Sequence, residues 1–239
     1  MENTPVRKKR KYTHEEKSLV ILKSTLSRLP IYYCYLQEKI REGVDFISST
    51  DIAKNLSLNT VQVRKDLASV STVPGRPKRG FRTERLLADM KTYLGYDNQD
   101  EAVLVGVGGL GSTLMQYSGF GHYGLSIVAG FDTRSSLHNK SVGGRTIYPM
   151  DKFEDLVRRL NITVGIITVP APQAQKVADM MMACGIRAIW NFAPTHINIP
   201  RGVLIKNENL AASLAVLVNE LNKKVNAEKK AQSKSKSAK

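Results

Sequence analysis

Three glycines and one aspartate stand at a spacing that could bind a dinucleotide. Gly106, Gly108 and Gly111 follow four apolar residues at 102–105, and Asp132 comes 21 residues after Gly111. In a G-x-G-x-x-G turn the first glycine permits the tight bend, the second lets a pyrophosphate approach the backbone, and the third lets helix and strand pack closely. An acid at this distance can accept a hydrogen bond from the adenosine ribose 2'-hydroxyl. The pattern therefore predicts an NAD(H) site.

Other residues could complete this site from the ends of neighbouring strands. Thr168 and Asn191 each end a predicted strand, although both places are equally well explained as strand exits marked by proline. Tyr117 could reach the nicotinamide end or only pack its helix, and Arg134 keeps NADP open as an alternative to NAD. The residues predicted from the sequence to bind the cofactor are Gly106, Val107, Gly108, Gly109, Leu110, Gly111, Tyr117, Asp132, Thr168, Val169, Pro170 and Asn191.

A second set of residues has the chemistry of DNA recognition. Asn59 can cap a helix over residues 60–69, in which Val63 and Leu67 share a buried face and the remaining face is polar and basic. Arginine can bridge guanine O6 and N7, glutamine can pair with adenine, and lysine usually takes phosphate. Such a helix suits a major groove, although taken alone it is more often an ordinary charged surface helix.

The segments around that helix favour DNA binding. Residues 47–56 predict a preceding helix capped by a serine, and residues 72–81 combine basic side chains with proline and glycine, which is typical of a wing beside the phosphate backbone. Together they predict a winged helix that binds double-stranded DNA. The predicted DNA-binding residues are Ser49, Asn59, Thr60, Gln62, Arg64, Lys65, Arg76, Lys78 and Arg79.

The charge of the chain lies outside the dinucleotide motif. Residues 1–96 contain 19 Lys+Arg against 10 Asp+Glu, residues 97–222 contain 10 against 10, and residues 223–239 contain 7 against 1. The resulting charges of +9, 0 and +6 account for the net +15. This distribution favours an anionic partner, although solvated lysine tails alone are the alternative explanation.

The elements around the glycine turn alternate between strand and helix. Strands are predicted at 102–105, 126–131, 162–169, 187–190 and 203–205, and helices at 152–160 and 173–183. This order predicts an α/β fold, with a Rossmann doubly wound parallel sheet after the N-terminal winged helix. We predict a disordered basic arm at 1–15, a winged-helix domain at 16–96, a Rossmann domain at 97–206, a C-terminal helix at 207–222 and a disordered Lys-rich tail at 223–239.

Composition excludes several other classes. The longest apolar stretches without charge, at 102–110 and 210–218, are far shorter than the roughly 20 residues of a membrane span. Two cysteines and four scattered histidines offer no metal-ligand spacing. We therefore expect a cytoplasmic protein without a metal site. Pro30 is expected to break the first helix near Leu29, and the nearly all-apolar start of the final helix predicts burial against a second subunit.

Together these residues resemble the Rex family of redox-sensing transcriptional repressors. The resemblance spans residues 27–221 and rests on motifs at 47–49, 61–67, 106–111, 117–120, 131–132, 168–170, 174–179, 185–186 and 191–194. It implies a homodimer with swapped C-terminal helices that binds a palindromic operator. It also implies repression that is relieved when NADH displaces NAD+.

The chain departs from the family pattern at positions that matter for the switch. Where relatives commonly carry Arg in the first helix and Asp before the last helix, this chain has Cys34 and Asn209. The resemblance places Asn209 among the cofactor-binding residues and implies a charge lock between these two positions, which neutral side chains cannot form. Gly109 also replaces the usual Asn or Arg, and Ser71 and Pro74 replace wing glycines.

Three alternatives remain open from the sequence. The first is a Rex-like DNA-binding regulator whose NADH response is lost or changed, because of Cys34 and Asn209. The second is an NAD-dependent oxidoreductase, which would need an acid or base beside the nicotinamide, yet His122, His138 and His196 are dispersed. The third is a protein that coats DNA without sequence preference.

Overall fold

A computed structural model describes residues 25–236, with side chains described at 25–209 and 211–226. It divides the chain into two compact units, Met1–Asn98 and Gln99–Lys239. The predicted basic arm at 1–15 lies outside the described residues.

The first unit is a small helical domain with a two-stranded wing. Its elements are α1 (Leu29–Arg41), β1 (Phe46–Ile47), α2 (Ser49–Asn55), α3 (Thr60–Val70), β2 (Phe81–Arg82) and α4 (Thr83–Tyr93). The two strands pair antiparallel, Phe46 opposite Arg82. The four helices enclose a core that includes Tyr32, Leu36 and Leu67, none of which is exposed. The predicted winged-helix architecture is therefore confirmed.

Local sequence explains where these helices begin. Ser48 caps α2 in a capping box: its Oγ accepts a hydrogen bond from the Asp51 amide at 3.1 Å, and the Asp51 carboxylate accepts one from the Ser48 amide at 3.2 Å. Pro30 lies in the first turn of α1, where its missing N–H costs nothing, and turn residues at 27–28 precede the helix. The predicted break near Leu29 is confirmed.

The second unit is built on a seven-stranded sheet. Its elements are β3 (Asp100–Val105), α5 (Gly109–Gln116), β4 (Leu125–Phe131), β5 (Ser141–Val142), β6 (Arg145–Tyr148), α6 (Phe153–Arg159), β7 (Val164–Ile167), α7 (Ala171–Ala183), β8 (Ala188–Asn191), β9 (Leu204–Asn207) and α8 (Leu210–Lys236). The strand order is β5-β6-β4-β3-β7-β8-β9, and every pair is parallel except β5 with β6.

The central strand explains this topology. The last four residues of β3 are buried, as expected of a strand covered on both faces. Helices on the two sides of the sheet close two separate apolar clusters, one containing Val103 and Val105 and the other containing Ala102 and Leu104. The predicted doubly wound sheet is confirmed, and it brings the carboxyl ends of β3, β4 and β7 to one edge.

The C-terminal helix is longer than the sequence analysis predicts. Helix α8 runs over 27 residues, Leu210–Lys236, whereas a helix ending at 222 and a disordered tail were expected. No glycine or proline follows Gly202, and residues 223–236 contain six Lys and two Ala, which are good helix formers. The structure thus has helix at residues 223–236, where a disordered tail is predicted.

Candidate functional site

At two positions of the glycine turn after β3 there is room for a hydrogen atom but not for a side chain. Gly106 has φ +99°, and a Cβ there would lie 2.8 Å from the Thr168 carbonyl oxygen. A Cβ at Gly111 would lie 2.3 Å from the Gly106 carbonyl oxygen. Both distances are far inside van der Waals contact, so the close approach of α5, the turn and β7 requires glycine.

The other two glycines of the turn face open space. A Cβ at Gly108 or at Gly109 would meet no atom within 4 Å. Gly108 immediately precedes α5, and no side chain caps the first amides of that helix. Unpaired amides at a helix start favour an anion, and the open backbone lets one approach closely. The turn therefore fits the pyrophosphate of a dinucleotide.

A cavity of about 830 Å³ adjoins this turn. Six residues predicted from the sequence line it: Gly106, Gly108, Asp132, Thr168, Val169 and Pro170. Sequence reasoning missed the opposite wall, formed by Gln173, Lys176, Val177 and Met180 of α7. Their spacing of three, four and seven residues places them on one face of a helix, and that periodicity was the available signal.

Thr168 joins the end of β7 to the glycine turn. Its Oγ1 donates a hydrogen bond to the Gly106 carbonyl oxygen at 2.8 Å. Its amide donates to the Val105 carbonyl oxygen at 3.0 Å. Thr168 therefore fixes the bend of the turn as well as lining the cavity.

Asp132, at the end of β4, is held by four donors. Its Oδ2 accepts from the Val107 amide at 2.8 Å and from Nη2 of Arg134 at 2.9 Å. Its Oδ1 accepts from the amide and Nε of Arg134, both at 2.9 Å. The Arg134 side chain also holds the pKa of Asp132 below its usual value, an effect that outweighs the opposite effect of burial.

Two predicted cofactor residues, Asn191 and Tyr117, lie outside the cavity wall. Asn191 is fully buried; its Nδ2 donates to Asn207 Oδ1 of β9 at 2.8 Å, and its Oδ1 accepts from the Ala193 amide at 2.9 Å. The side chain therefore bonds within the fold and does not line the cavity, and its predicted cofactor role stays a prediction. Tyr117 is 54% exposed and packs edge-on against Phe120, outside the cavity wall.

The remaining predicted cofactor residues, Val107, Gly109, Leu110 and Gly111, belong to the turn and the start of α5 but do not line the cavity. Val107 contributes its backbone, donating to Asp132 and accepting from Arg134. Gly111 contributes the close packing described above. Their contribution is to shape the turn.

Helix α3 presents a basic face to solvent. Arg64 and Lys65 are exposed, whereas Val63 and Leu67 are fully buried on the opposite face. Asn59 caps the helix, its Oδ1 accepting from the amides of Val61 and Gln62 at 2.9 and 3.1 Å. Thr60 is half-buried in the first turn. Exposed basic side chains near the start of a helix match the geometry of major-groove reading.

A buried carboxylate that the sequence analysis did not nominate holds α3 in place. Asp66, only 1% exposed, accepts hydrogen bonds from Arg28, Tyr32, Thr25 and Gln62 at 2.7 to 3.1 Å. These five residues are called the Asp66 cluster below. Gln62, expected to be available for a base, therefore donates its Nε2 to Asp66, since a buried carboxylate needs every donor in reach.

The Asp66 cluster also shifts two pKa values. Burial alone raises the pKa of Asp66, but the hydrogen bonds from Arg28, Gln62, Tyr32 and Thr25 outweigh it, so that the pKa lies below its usual value. Burial, together with the bond to Asp66, raises the pKa of Tyr32 to about 12. The cluster is thus an ionised Asp66 paired with the Arg28 cation at neutral pH.

The wing carries three exposed cations on a tight turn. The amide of Arg76 donates to the Gly80 carbonyl oxygen at 2.7 Å, and Lys78 adopts φ +61° at the tip. The Arg79 guanidinium lies 4.1 Å from the ring centroid of Phe46, which holds it beside β1. The wing therefore presents Arg76, Lys78 and Arg79 together.

Three further residues, Asp89, Ser49 and Val61, lie at the edges of this basic surface. The Asp89 carboxylate, nearly buried on α4, accepts from the Thr72 amide at 2.8 Å and so fixes the start of the wing. Ser49 is half-buried as the first residue of α2, next to the capping residue Ser48. Val61, which the sequence analysis did not nominate, is 57% exposed beside Arg64.

Comparison with known proteins gives the family. Residues 21–68 match a family model described as a putative DNA-binding protein N-terminus, and residues 97–195 match one described as a CoA binding domain. The redox-sensing transcriptional repressor Rex of Porphyromonas gingivalis is 41% identical over 197 residues, covering 82% of this chain and 90% of that protein. The Rex repressor of Bacteroides fragilis is 38% identical over 198 residues, covering 83% and 90%. This chain belongs to the Rex family.

A solved structure extends the match to the whole architecture of the Rex family. The crystal structure of RSP in complex with beta-NAD+ and operator DNA has a TM-score of 0.79 at 29% identity, covering 87% of this chain and 95% of that one. The resemblance predicted from the sequence is confirmed. Because the matched relatives are transcriptional repressors, this chain is a repressor and not an oxidoreductase.

The two departures from the Rex family pattern occupy defined places. Cys34 lies on an exposed position of α1. Asn209, predicted to bind cofactor, does not line the cavity; it caps α8, its Oδ1 accepting from the Ala212 amide at 2.9 Å. An aspartate would cap the helix in the same way, so the exchange keeps the cap and removes a negative charge.

Among residues 25–236 no helix is long and apolar enough to cross a membrane. Within the same part of the chain, no group of three His, Cys, Asp or Glu side chains is placed to hold a metal ion.

Proposed function

We propose that this repressor grips a palindromic operator as a homodimer through α3 and the wing, and that it releases the operator when NADH occupies the glycine turn. The observation that carries the proposal is the presence, in one chain, of an exposed basic helix and a turn that fits a pyrophosphate. We place this activity in the cytoplasm, where operator DNA and the nicotinamide pool are both accessible.

The glycine turn at 106–111, Asp132 and the cavity wall that includes Val169 and Met180 are together called the cradle. These parts have separate roles toward the dinucleotide. The open backbone at Gly108 and the first amides of α5 would bind the pyrophosphate. Asp132 would face the adenosine ribose. The apolar wall that includes Val169 and Met180 would exclude water from the rings. When bound, the nicotinamide supplies the signal, because its oxidised and reduced forms differ in charge and shape.

Arg64 and Lys65 are proposed to make different kinds of contact with DNA. Arg64 can bridge a guanine edge, whereas Lys65 is suited to a phosphate. We expect Arg64→Ala to cost about 1 to 3 kcal/mol and to relax preference at one base pair. Lys65→Ala should weaken binding to all duplexes alike. The slope of log affinity against log salt concentration should fall by about one. Fluorescence anisotropy with single-base variants of a duplex selected by the protein measures both effects.

Arg41→Ala, which removes an exposed cation from the last turn of α1, outside the predicted DNA-binding residues, is the matched control. Equal losses on every duplex for both Arg64→Ala and Lys65→Ala would contradict base reading. That result would instead support a protein that coats DNA without sequence preference.

Dimerisation is proposed through α8. Residues 211–224 of this helix are all exposed, and Leu214, Leu217 and Leu221 are each more than half exposed. An apolar helix of this length that no other described residue covers needs a partner to exclude water. A second copy of α8 would cover it, and a twofold dimer matches two half-sites about one helical turn apart or multiples of it.

Leu214→Glu should convert the dimer into a monomer, because it places a charge in the apolar face. The affinity for a duplex with two half-sites should fall by about 100-fold, since each monomer's winged-helix domain then binds alone. Light scattering after size-exclusion chromatography and anisotropy measure the two effects. Lys224→Glu, with the same new charge beyond the apolar segment, is the control; a Leu214→Glu protein that remains dimeric contradicts the proposal.

A second candidate function is a repressor whose release by NADH is weakened. The observation that favours it is the pair of neutral side chains, Cys34 and Asn209, where the family pattern places opposite charges. The two candidates differ in one measurable quantity: the NADH concentration that releases operator DNA from the full chain.

A further inference from the structure

The charged groups of the cavity wall are unusual for a site that selects NAD. Three charged side chains line the cavity: Asp132, Arg134 and Lys176. They sum to one net positive charge. In an NAD-selective site, a free acid at the end of the second strand accepts the ribose hydroxyl and repels a ribose phosphate. The state of Asp132 therefore decides which adenosine ribose fits.

Asp132 has no free acceptor position. Its two oxygens already accept four hydrogen bonds, three of them from Arg134 and one from the Val107 amide. A carboxylate offers about four lone-pair sites, so a ribose hydroxyl gains an acceptor only when Arg134 moves. The negative charge that normally repels a phosphate is likewise compensated at contact distance by the guanidinium.

The two cations keep unused donors that face solvent. The Arg134 side chain is 55% exposed, and its Nη1 has no partner among the residues that the structure describes. Lys176 is exposed on α7, and none of the ion pairs between described residues includes it. Arginine and lysine donors that line the same cavity are the chemistry that binds phosphate.

We propose that Arg134 and Lys176 form a subsite for a phosphate on the adenosine ribose of the bound ligand. The ligand class is a nucleotide phosphorylated on that ribose, at the 2' position as in NADPH or at the 3' position as in CoA. The inference rests on the proposed function, because it uses the same cradle. It predicts that this repressor does not discriminate strongly against ribose-phosphorylated ligands.

Isothermal titration calorimetry of the full chain with NADH, NADPH and CoA tests the subsite. The unaltered protein should bind at least one of the two phosphorylated ligands within about tenfold of NADH. Arg134→Ala and Lys176→Ala should each weaken that ligand by about tenfold to 100-fold, the value of a lost charge-assisted hydrogen bond. NADH affinity should not fall in Arg134→Ala, because losing the guanidinium frees Asp132 to accept a ribose hydroxyl, and it should change by less than about threefold in Lys176→Ala. Lys152→Ala, an exposed cation outside the cavity wall, is the matched control.

The outcomes separate this inference from the proposed function. NADPH binding that depends on both cations assigns the 2' position, and CoA binding that depends on them assigns the 3' position. If NADH binds but NADPH and CoA are both more than about tenfold weaker, the subsite is wrong while the cradle stands. Equal losses for NADH and the phosphorylated ligand in Arg134→Ala also overturn the subsite. If none of the three binds, the proposed function fails as well.

Discussion

Gly108→Ala should abolish NADH binding without unfolding the protein. A Cβ at this position meets no atom within 4 Å, so the substituted chain has room for the methyl group, and the changed helix cap costs about 1 kcal/mol or less. The methyl group instead occupies the open backbone where the pyrophosphate is proposed to lie. We expect the Kd for NADH to rise by at least about 100-fold, measured by calorimetry, with the thermal midpoint nearly unchanged.

Two neighbouring glycines are matched controls for this prediction. Gly109→Ala also meets open space, at the first residue of α5, where the Rex family pattern commonly has the larger Asn or Arg, so NADH affinity should change little. Gly111→Ala should destabilise the second unit by about 1 to 3 kcal/mol, because its Cβ would lie 2.3 Å from a backbone oxygen. Undiminished NADH binding by Gly108→Ala would show that the dinucleotide does not approach the turn as proposed.

Asp66→Ala should unfold the first unit selectively. Removing a buried carboxylate leaves Arg28 and Tyr32 without their partner, and losing one side of a buried ion pair costs about 3 kcal/mol or more. DNA binding should be lost while NADH binding is kept, since the cradle contacts all lie within the second unit. Trp190, the single tryptophan, reports the second unit by fluorescence, and far-UV circular dichroism reports both.

An exposed ion pair in the same unit is the control. Lys91 and Asp97 lie 2.8 Å apart with about half of each side chain exposed, so Asp97→Ala should cost less than about 1 kcal/mol. A similar small cost for Asp66→Ala would contradict the role assigned to the Asp66 cluster.

The same carboxylate gives the first unit a defined pH dependence. Because folding lowers the pKa of Asp66, its contribution to stability is fully present above the unfolded value of about 4. That contribution is lost as the pH falls through the lowered folded value. Acid titration should therefore destabilise the unaltered first unit more steeply than Asp66→Asn, which has no carboxylate to protonate.

The glycine turn and the parallel sheet were predictable because each depends on local backbone demands. The bend at Gly106, the close packing at Gly111 and the buried strand before them are all encoded within ten residues. The start of α3 at Asn59 is predictable for the same reason, since a cap bonds to amides two and three residues ahead.

The hydrogen-bond partners of individual polar side chains could not be predicted from the local sequence. Gln62, Asn191 and Arg134 each have the right chemistry for a ligand, yet each bonds within the fold, to Asp66, Asn207 and Asp132. Their partners are set by which elements meet in three dimensions. The length of α8 differs from the prediction for another reason: the sequence after residue 222 has helix propensity, but its high charge favoured the interpretation as a disordered tail.

Titration of NADH into the complex of the full chain with its selected palindromic duplex tests the central claim most directly. Fluorescence anisotropy of the labelled duplex follows release, and calorimetry in the same buffer establishes when the cradle is saturated. We predict that saturating NADH releases the duplex, that NAD+ at the same concentration does not, and that Gly108→Ala removes the response. A duplex that stays bound at saturating NADH would contradict the claim that the cradle controls DNA binding.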